Sequence, residues 1–423
     1  CVETRGIKIK VTRLPIPVLY SPAFEGERVR KENLKVEFGG KYSTAFEFLC
    51  SRPMDKVEDG KIELIGPDVS EVSDKAMPLG ILVEVSSRNF NKDFEPILER
   101  QIHRYLNEAQ GVMHMGQREM IWVRISQEAF AKGFRLKHFG TIIHAMLHRD
   151  FGAIVDKAQV TLFTKAEDVE KHIKEALVSF EARDERLKGM VDENVDTFYS
   201  CALCQSFAPN HLCIITPERL GLCGAYSWLD AKAAFEITPS GGNQPIKKGV
   251  CLEETTGQWK NINDFIFEKS NKTISEVSMY SLLVSPQSSC GCFECIVALI
   301  PEANGVMIVN RDHSGMTPLG MTFTQLASSV GGGVQTPGFI GVGKLYISSK
   351  KFISAEGGLP RIVWMPKDLK EALKNRIDQR ANELGLVDFY DKIADETNAA
   401  TLEELIEFLD KKAHPALKMP ALI

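Results

Sequence analysis

The sequence lacks long apolar runs and any excess of basic residues. Although 44% of its 423 residues are hydrophobic, no apolar run approaches the roughly 18 to 20 residues that cross a bilayer, so no membrane role is expected. Lys and Arg number 51 against 56 Asp and Glu. Because nucleic-acid binding needs a basic surface that displaces counterions from phosphates, this balance argues against that function class.

The amino terminus lacks both an initiator Met and the basic-then-apolar pattern of a secretory signal. The chain is therefore expected to be cytoplasmic, and to be processed or a fragment of a longer protein. In a protein that is not secreted, ten cysteines are expected to bind metal rather than to form disulfides. Cys1, Cys50 and Cys251 stand alone, and the other seven lie in two short segments.

The patterning predicts a mixed α/β (α+β) fold with two domains, each a mixed sheet with packed helices, because the chain is too long for one compact core. Residues 1–165 are predicted to form an α+β domain. Its segments are short β segments at 7–20, strands at 79–86, 119–125 and 158–164, and helices at 95–109, 127–132 and 139–149.

Residues 166–190 are predicted to form a helical connector, since they are charged and carry only a thin apolar stripe at Val169, Ile173, Leu177 and Phe180. Residues 191–423 are predicted to be an α/β domain that contains both cysteine segments. Its other features are a buried strand at 306–309, a Gly-rich stretch at 331–343, an apolar run at 361–365 and two helices near the end.

The first cysteine segment contains Cys201, Cys204, Cys213 and Cys223. Four thiolates are what a [4Fe-4S] cluster or a structural zinc ion requires. The spacing alone does not choose between a structural zinc site and an iron–sulfur cluster. If it is a cluster, a plain electron-transfer centre is also an alternative.

The second segment places Gly291 between Cys290 and Cys292. A metal bound by both sulfurs and by the backbone nitrogens of Gly291 and Cys292 would have square-planar N2S2 coordination, which suits Ni(II) or Cu(II). Glycine lets the backbone bend tightly around such an ion. A chance turn, a strained disulfide and a redox pair are alternatives for this segment taken alone.

Three motifs together are more specific: Tyr-Ser-Cys-x2-Cys-Gln-Ser-Phe-Ala-Pro-Asn-His-x-Cys at 199–213, Thr-Pro-Glu-Arg-x-Gly-Leu-Cys-Gly at 216–224, and Cys-Gly-Cys-Phe-Glu at 290–294. They closely resemble the nickel-containing acetyl-CoA synthase of the carbon monoxide dehydrogenase/acetyl-CoA synthase complex. The resemblance runs from Glu3-Thr-Arg-Gly-Ile-Lys to the carboxyl-terminal His414-Pro-Ala-Leu.

The resemblance implies a [4Fe-4S] cluster bound by Cys201, Cys204, Cys213 and Cys223. It also implies two nickel ions. The proximal ion would be bound by the sulfurs of Cys204, Cys290 and Cys292. The distal ion would be bound by the sulfurs of Cys290 and Cys292 and by the amide nitrogens of Gly291 and Cys292. Phe207 would be a wall of the cavity at the proximal ion, or else a core aromatic residue beneath the cluster.

The activity implied by the resemblance is the condensation of CO, coenzyme A and a methyl group from a corrinoid iron–sulfur protein into acetyl-CoA. Bacterial members carry a further amino-terminal domain that contacts the carbon monoxide dehydrogenase subunit. This chain lacks that domain, so it is expected to be a carboxyl-terminal fragment. A non-catalytic iron–sulfur electron-transfer or binding module and a thiol–disulfide enzyme are the competing hypotheses.

Several neighbouring residues are assigned lesser roles. His211 is expected to lie beside the cluster without binding it, Cys295 to be a buried thiol, and the glycines at 331–333 to give close backbone packing near the cluster. As the resemblance implies, coenzyme A is expected on the side of the first domain, which carries basic residues such as Arg118, Arg124, Arg135 and Lys137. Trp122 is expected to be a core residue of an apolar strand, and stacking on the adenine of coenzyme A is the alternative role.

Overall fold

The computed structural model of the chain describes residues 14–18, 29–40, 43–71, 76–88, 90–206 and 208–423. It divides into two compact units. The first comprises the described residues up to His114 together with Ile121–Ala176, and the second comprises Met115–Met120 and Leu177–Ile423. None of the described helices is both long enough and apolar enough to cross a membrane.

The first unit is built on two four-stranded mixed sheets, in the orders β4-β1-β7-β6 and β2-β5-β8-β3. The strands are β1 (Leu34–Gly39), β2 (Ala45–Ser51), β3 (Ile62–Ile65), β4 (Ala76–Met77), β5 (Leu79–Ser86), β6 (Val112–Met115), β7 (Trp122–Ser126) and β8 (Lys157–Phe163). β5 is parallel to β2 and antiparallel to β8. The predicted strands at 79–86 and 158–164 are confirmed, while most of the predicted β segment at 7–20 lies outside the described residues.

The first unit contains the helices α1 (Glu95–Asn107), α2 (Gln127–Ala131) and α3 (Lys137–Phe151), and α4 (Ala166–Glu185) begins in it and continues past Ala176 into the second unit. On α4 the predicted stripe is wrong at one position, because Leu177 is 42% exposed whereas Ala176 is fully buried. Val169, Ala176 and Phe180 are spaced at helical periodicity and form the buried stripe instead. The predicted domain boundaries stay a prediction.

The second unit contains a three-stranded sheet, a hairpin and a four-stranded sheet, in the orders β10-β9-β11, β12-β13 and β16-β14-β15-β17. The strands are β9 (Thr197–Cys201), β10 (Cys213–Ile215), β11 (Pro245–Lys247), β12 (Cys251–Glu253), β13 (Gln258–Trp259), β14 (Cys295–Ile300), β15 (Gly305–Asn310), β16 (Phe339–Val342) and β17 (Ile362–Trp364). Its helices are α5 (Trp228–Ile237), α6 (Lys260–Lys269), α7 (Phe323–Val330), α8 (Lys367–Ala372), α9 (Lys374–Glu383) and α10 (Leu402–Lys411).

The larger sheet of the second unit lies over an apolar core that includes Cys295, Val297, Ile308, Ile340 and Ile362. A second core forms beneath β9 and β10, where Phe198 and Ile214 pack against Ile262 and Ile266 of α6. The mixed α/β fold class is therefore confirmed. Each cysteine segment comes directly before or after a buried strand, so the rigid sheets set its position.

Candidate metal centre

The first cysteine segment is organised by the antiparallel pair β9 and β10. Cys201 ends β9 and Cys213 begins β10, and the two residues lie directly opposite each other in the ladder. Between them, Leu203–Ser206 forms a 3₁₀ turn that carries Cys204, and the Ala208 N–H donates to the Cys204 carbonyl at 2.8 Å. The chain therefore returns over itself and brings three cysteines to one end of the sheet.

Cys223 reaches the same place from a tight turn. The Gly224 N–H donates to the Gly221 carbonyl at 2.9 Å, and Gly224 has a φ of 71°, a backbone conformation that glycine adopts at no steric cost. The Glu294 N–H donates to the Leu222 carbonyl at 3.0 Å. This last bond ties the Cys223 turn to the residues that follow the second cysteine segment.

The first four thiols act on one another electrostatically. Burial raises the pKa of the Cys213 thiol well above its usual value, and the charges of Cys201, Cys204 and Cys223 raise it further. The sulfurs of Cys201, Cys204 and Cys223 therefore lie close enough to Cys213 to oppose its deprotonation.

The second segment is a bent loop before β14. Gly291 has a φ of 126°, outside the range that L side chains readily adopt, and the Cys292 N–H points to the Cys290 sulfur at 3.3 Å. The Cys292 amide and the Cys290 sulfur, two of the four donors of the N2S2 hypothesis, therefore face each other across the bend at Gly291.

The two segments meet at Cys204. Hydrogen bonds to the sulfurs of Cys204 and then Cys292, together with burial, raise the pKa of the Cys290 thiol well above its usual value. The sulfurs of Cys204 and Cys292 lie within 4.8 Å of one another. The sulfurs of Cys290 and Cys292 therefore lie close to the sulfur of Cys204, although the two cysteine segments are far apart in sequence.

These sulfurs fit a bound metal cluster. Every one of them is on a buried residue, and the raised pKa values of Cys213 and Cys290 show that thiolates here need a nearby positive charge. Metal ions supply that charge and bind the deprotonated form. Soft thiolate donors favour iron–sulfur clusters and other transition metals over hard cations.

Comparison with known proteins identifies a family whose models match most of the chain. The family model for the C-terminal part of the ACS/CODH beta subunit matches residues 180–423, and the model for the beta subunit of the CO dehydrogenase/acetyl-CoA synthase complex matches residues 16–169. The chain belongs to the acetyl-CoA synthase beta-subunit family. Two adjoining matches together span nearly all of it.

Relatives within the acetyl-CoA synthase family come from bacteria and archaea. The chain is 52% identical over 420 residues to the carbon monoxide dehydrogenase/acetyl-CoA synthase subunit alpha of Moorella thermoacetica, covering 99% of this chain and 58% of that protein. It is 42% identical over 418 residues to acetyl-CoA decarbonylase/synthase complex subunit beta 1 of Methanocaldococcus jannaschii, covering 99% and 54%. It is 42% identical over 404 residues to the subunit beta of Methanopyrus kandleri, covering 95% and 85%. The chain thus spans little more than half the length of the first two relatives.

His211 lies beside the cysteines, as expected. Its Nε2 is 3.1 Å from the Cys213 sulfur and its Nδ1 is 3.0 Å from the Ser288 hydroxyl. Because a deprotonated Cys213 can only accept, the Nε2 carries the proton in the thiolate form and donates to the sulfur. His211 therefore joins Ser288, in the second segment, to a candidate cluster cysteine.

The expected glycine packing is also confirmed. The Gly332 N–H donates to the Cys290 carbonyl at 3.2 Å and the Gly333 N–H to the Ser289 carbonyl at 2.8 Å. A Cβ on Gly333 would lie 3.2 Å from the His211 nitrogen. This stretch therefore packs its backbone against both cysteine segments.

Two charged residues near the centre were not identified from the sequence. Arg311 is buried, and its Nη2 donates to the carbonyls of Gly291 at 2.6 Å and Phe293 at 2.9 Å. Burial raises the pKa of the Glu294 carboxyl to about 7, against the opposing charge of Lys344. Glu294 belongs to the motif at 290–294, whereas Arg311 had no local signal, because its role depends on the pairing of β14 with β15.

Three other residues considered in the sequence analysis have different outcomes. Phe207 lies outside the described residues. Cys295 is buried in the core of the larger sheet, as expected for a thiol without a ligand role. Arg118 forms an ion pair with Asp184 at 2.9 Å. This internal partner makes Arg118 less available to a polyanionic ligand than the sequence suggested.

The remaining basic candidates lie in the first unit. Arg124 forms an ion pair with Glu37 at 2.9 Å and stacks on Trp122 at 4.2 Å. Arg135 donates to two backbone carbonyls, while Lys137 is exposed. Trp122 itself is only partly buried and donates to Glu37, so it is a strand residue within a polar cluster rather than a core tryptophan.

Proposed function

We propose that the chain carries the catalytic centre of an acetyl-CoA synthase, which condenses CO, a methyl group and coenzyme A into acetyl-CoA. The observation that supports this most strongly is the meeting of Cys204 with Cys290 and Cys292. A simple electron-transfer cluster needs four thiolates. The sulfurs of Cys290 and Cys292, together with that of Cys204, would provide a second, adjoining metal position.

The proposed ligands follow from this arrangement and from the family. Cys201, Cys204, Cys213 and Cys223 would bind a [4Fe-4S] cluster. Cys204 would share its sulfur with a proximal nickel ion, to which Cys290 and Cys292 also contribute. The sulfurs of Cys290 and Cys292, with the amide nitrogens of Gly291 and Cys292, would bind a distal nickel ion, for which the bend at Gly291 is suited.

When bound, this metal centre would supply an open coordination position at which CO and a methyl group can be joined and passed to the coenzyme A sulfur. The protein residues prepare that position. Cys290 and Cys292 are each only 1% exposed, so water is excluded around them. Arg311 fixes the carbonyls on either side of Cys292, and the His211 imidazole donates to Cys213 and stabilises its thiolate.

The partners proposed for the chain are those of the family. They are coenzyme A and CO as substrates, a methylated corrinoid iron–sulfur protein as methyl donor and, in the full-length protein, the carbon monoxide dehydrogenase subunit. The relatives' names describe subunits of such a complex. Phe207 remains the proposed wall of the open metal position.

Metal analysis of anaerobically purified protein tests this proposal. We expect about four iron and about two nickel per chain, together with acetyl-CoA formation from CO, a methyl donor and coenzyme A. Cys290→Ser and Cys292→Ser should abolish nickel binding and acetyl-CoA formation but keep the iron–sulfur absorption. Cys251→Ser, which changes an exposed cysteine, should leave all three readouts unchanged.

Three results would contradict the proposal. A chain with four iron, no nickel and an unchanged reduction potential in Cys290→Ser would instead be an electron-transfer module. Full acetyl-CoA formation with zinc as the only metal would exclude the nickel assignment. Loss of the iron–sulfur absorption in Cys290→Ser would contradict the proposed ligand assignment, because the [4Fe-4S] cluster would then depend on the second cysteine segment.

A further inference from the structure

The first unit contains a second group of metal-binding side chains, without cysteine. His144 and His148 are one turn apart on α3, and this spacing places both rings on the same face of the helix. Asp59 lies in the turn between β2 and β3. These three residues take no part in the proposed acetyl-CoA synthase centre.

The three side chains converge on one oxygen. The Nε2 atoms of His144 and His148 are each 2.9 Å from Asp59 Oδ1, and the ligand atoms of all three lie within 4.8 Å of one another. The two imidazole rings are 4.5 Å apart between centroids. The two nitrogens therefore already face a common point together with a carboxylate.

The position of Asp59 is set by β8. The Ala158 N–H donates to Asp59 Oδ1 at 3.0 Å, and the Gly60 N–H donates to the Ala158 carbonyl at 2.9 Å. Gly60 has a φ of 77°, which allows the tight turn that follows Asp59.

We propose that Asp59, His144 and His148 bind one divalent transition-metal ion, and that Zn²⁺ suits the site best. Two imidazole nitrogens and one carboxylate oxygen are a common zinc donor set, with bonds of about 2.0 to 2.2 Å. Tetrahedral bonds of that length separate ligand atoms by about 3.4 Å, so the present 2.9 Å contacts need to open only slightly. The ion would join the turn after β2 to α3.

Access to the site agrees with a bound ion that keeps one water ligand. The Asp59 side chain is 39% exposed, whereas those of His144 and His148 are 12% and 7% exposed. An ion can therefore enter on the carboxylate side, and its fourth position faces solvent. The inference is independent of the proposed acetyl-CoA synthase activity, since it involves no cysteine.

The test uses the full chain, purified anaerobically with its cysteine-bound metals in place. Zn²⁺ is titrated against a chromophoric chelator, and zinc-edge X-ray absorption then reports the atoms around the added ion. We expect one added zinc per chain, with nitrogen or oxygen neighbours at about 2.0 to 2.1 Å and no sulfur at about 2.3 Å. Zinc taken up by the cysteines would instead show the sulfur distance. Failure of the proposed cysteine-bound metal centre can therefore be told apart from failure of the Asp59–His144–His148 site.

Variants assign the added zinc to the three residues. His144→Gln and Asp59→Asn should each weaken zinc binding by more than about 100-fold, because even residues that only hydrogen-bond to ligands change metal affinity by about 10- to 100-fold. His172→Gln is the matched control. It alters a partly buried helical histidine of the same unit whose ion-pair partner is Glu175, and it should leave the affinity unchanged.

Replacing one histidine ligand with cysteine provides a second test, in which zinc binding is kept and a sulfur ligand is added. His148→Cys should still bind Zn²⁺, now with one sulfur neighbour at about 2.3 Å. Equal zinc affinity in wild type and in Asp59→Asn, or bound zinc in His148→Cys without sulfur, would overturn the proposal. The three residues would then form only a hydrogen-bonded contact between a turn and a helix.

Discussion

At the scale of single residues, Gly224 shows how closely the cysteine turns are packed. A Cβ at this position would lie 1.9 Å from Glu294 Oε2. Glu294 in turn accepts from the Lys344 N–H at 2.6 Å, so its carboxylate has little freedom to move away. The Cys223 turn can therefore approach the second cysteine segment only because residue 224 has no side chain.

Gly224→Ala should lower the free energy of unfolding by about 2 to 4 kcal/mol, since left-handed strain of about 1 to 2 kcal/mol adds to an overpacking cost of similar size. Gly320→Ala is the matched control: its φ of 69° is close to the 71° of Gly224, but a Cβ there meets no atom within 4 Å. The control should lose only the strain. Urea denaturation of both variants measures the difference, and equal losses would show that the Glu294 contact is unimportant.

At the scale of secondary-structure elements, the β14–β15 hairpin holds the Cys-Gly-Cys loop in place. Cys295 opposes Asn310 in this ladder, and Arg311 follows directly after β15. Its guanidinium donates to carbonyls on both sides of Cys292. The hairpin pairing therefore decides which distant residue supports the loop.

Arg311→Lys should weaken the proposed nickel binding about 10- to 100-fold, because the shorter side chain with its tetrahedral ammonium group does not place two donors where the planar Nη2 group of Arg311 places them. Nickel retained against a competing chelator is the measurement. Arg361→Lys is the control, since Arg361 likewise donates to backbone carbonyls, those of Asn304 and Pro420. It should reduce stability without changing nickel affinity, and equal nickel loss in both variants would show a general structural effect.

At the scale of the whole molecule, the last residues of the chain are tied to the larger sheet of the second unit. His414 is fully buried, with Nε2 3.1 Å from the Ile362 carbonyl, while Nδ1 accepts from the Ala416 N–H. The Asn304 side chain donates to the carbonyls of Ala416 and Met419. A segment distant in sequence thereby completes the core around β17.

Stability should fall in mild acid because of His414. Burial lowers the pKa of its imidazole from 6.5 to about 4, and the charge of Lys392 lowers it further, against the hydrogen bond to the Ile362 carbonyl. A second ring proton would also face the Ala416 N–H that now donates to Nδ1. The stabilisation is thus fully present above pH 6.5 and is lost as the pH falls towards 4. It amounts to about 3 kcal/mol, of which about 2 kcal/mol is lost by pH 5.

Comparison of the free energy of unfolding at pH 7 and pH 5 checks this expectation. His414→Gln keeps one donor and one acceptor but does not titrate, so its stability should change less between the two pH values. His172→Gln should retain the wild-type pH dependence. If His414→Gln lost as much stability as the wild type, another group would be responsible.

The sequence predicted the elements with long, clear periodicity, such as β5 and α1, because alternation and helical spacing are local properties. On α1, Ile97, Ile102, Tyr105 and Leu106 lie at helical spacing and are all buried. It did not predict Arg311 or the pairing of Asp59 with α3. Those depend on contacts between residues far apart in the chain, for which the sequence carries no local pattern.

The sequence by itself determined the family, the fold class and the candidate ligands, because thiol spacing and the Cys-Gly-Cys motif are visible in the order of residues. That Cys204 lies with Cys290 and Cys292 was implied by the resemblance, and the tertiary structure brings the sulfurs of Cys204 and Cys292 within 4.8 Å of one another. Only the tertiary structure decided that Arg311 holds the carbonyls on either side of Cys292 and that Asp59 meets His144 and His148. The physical reason is that strand pairing and core packing, not distance along the chain, determine which side chains share a buried space.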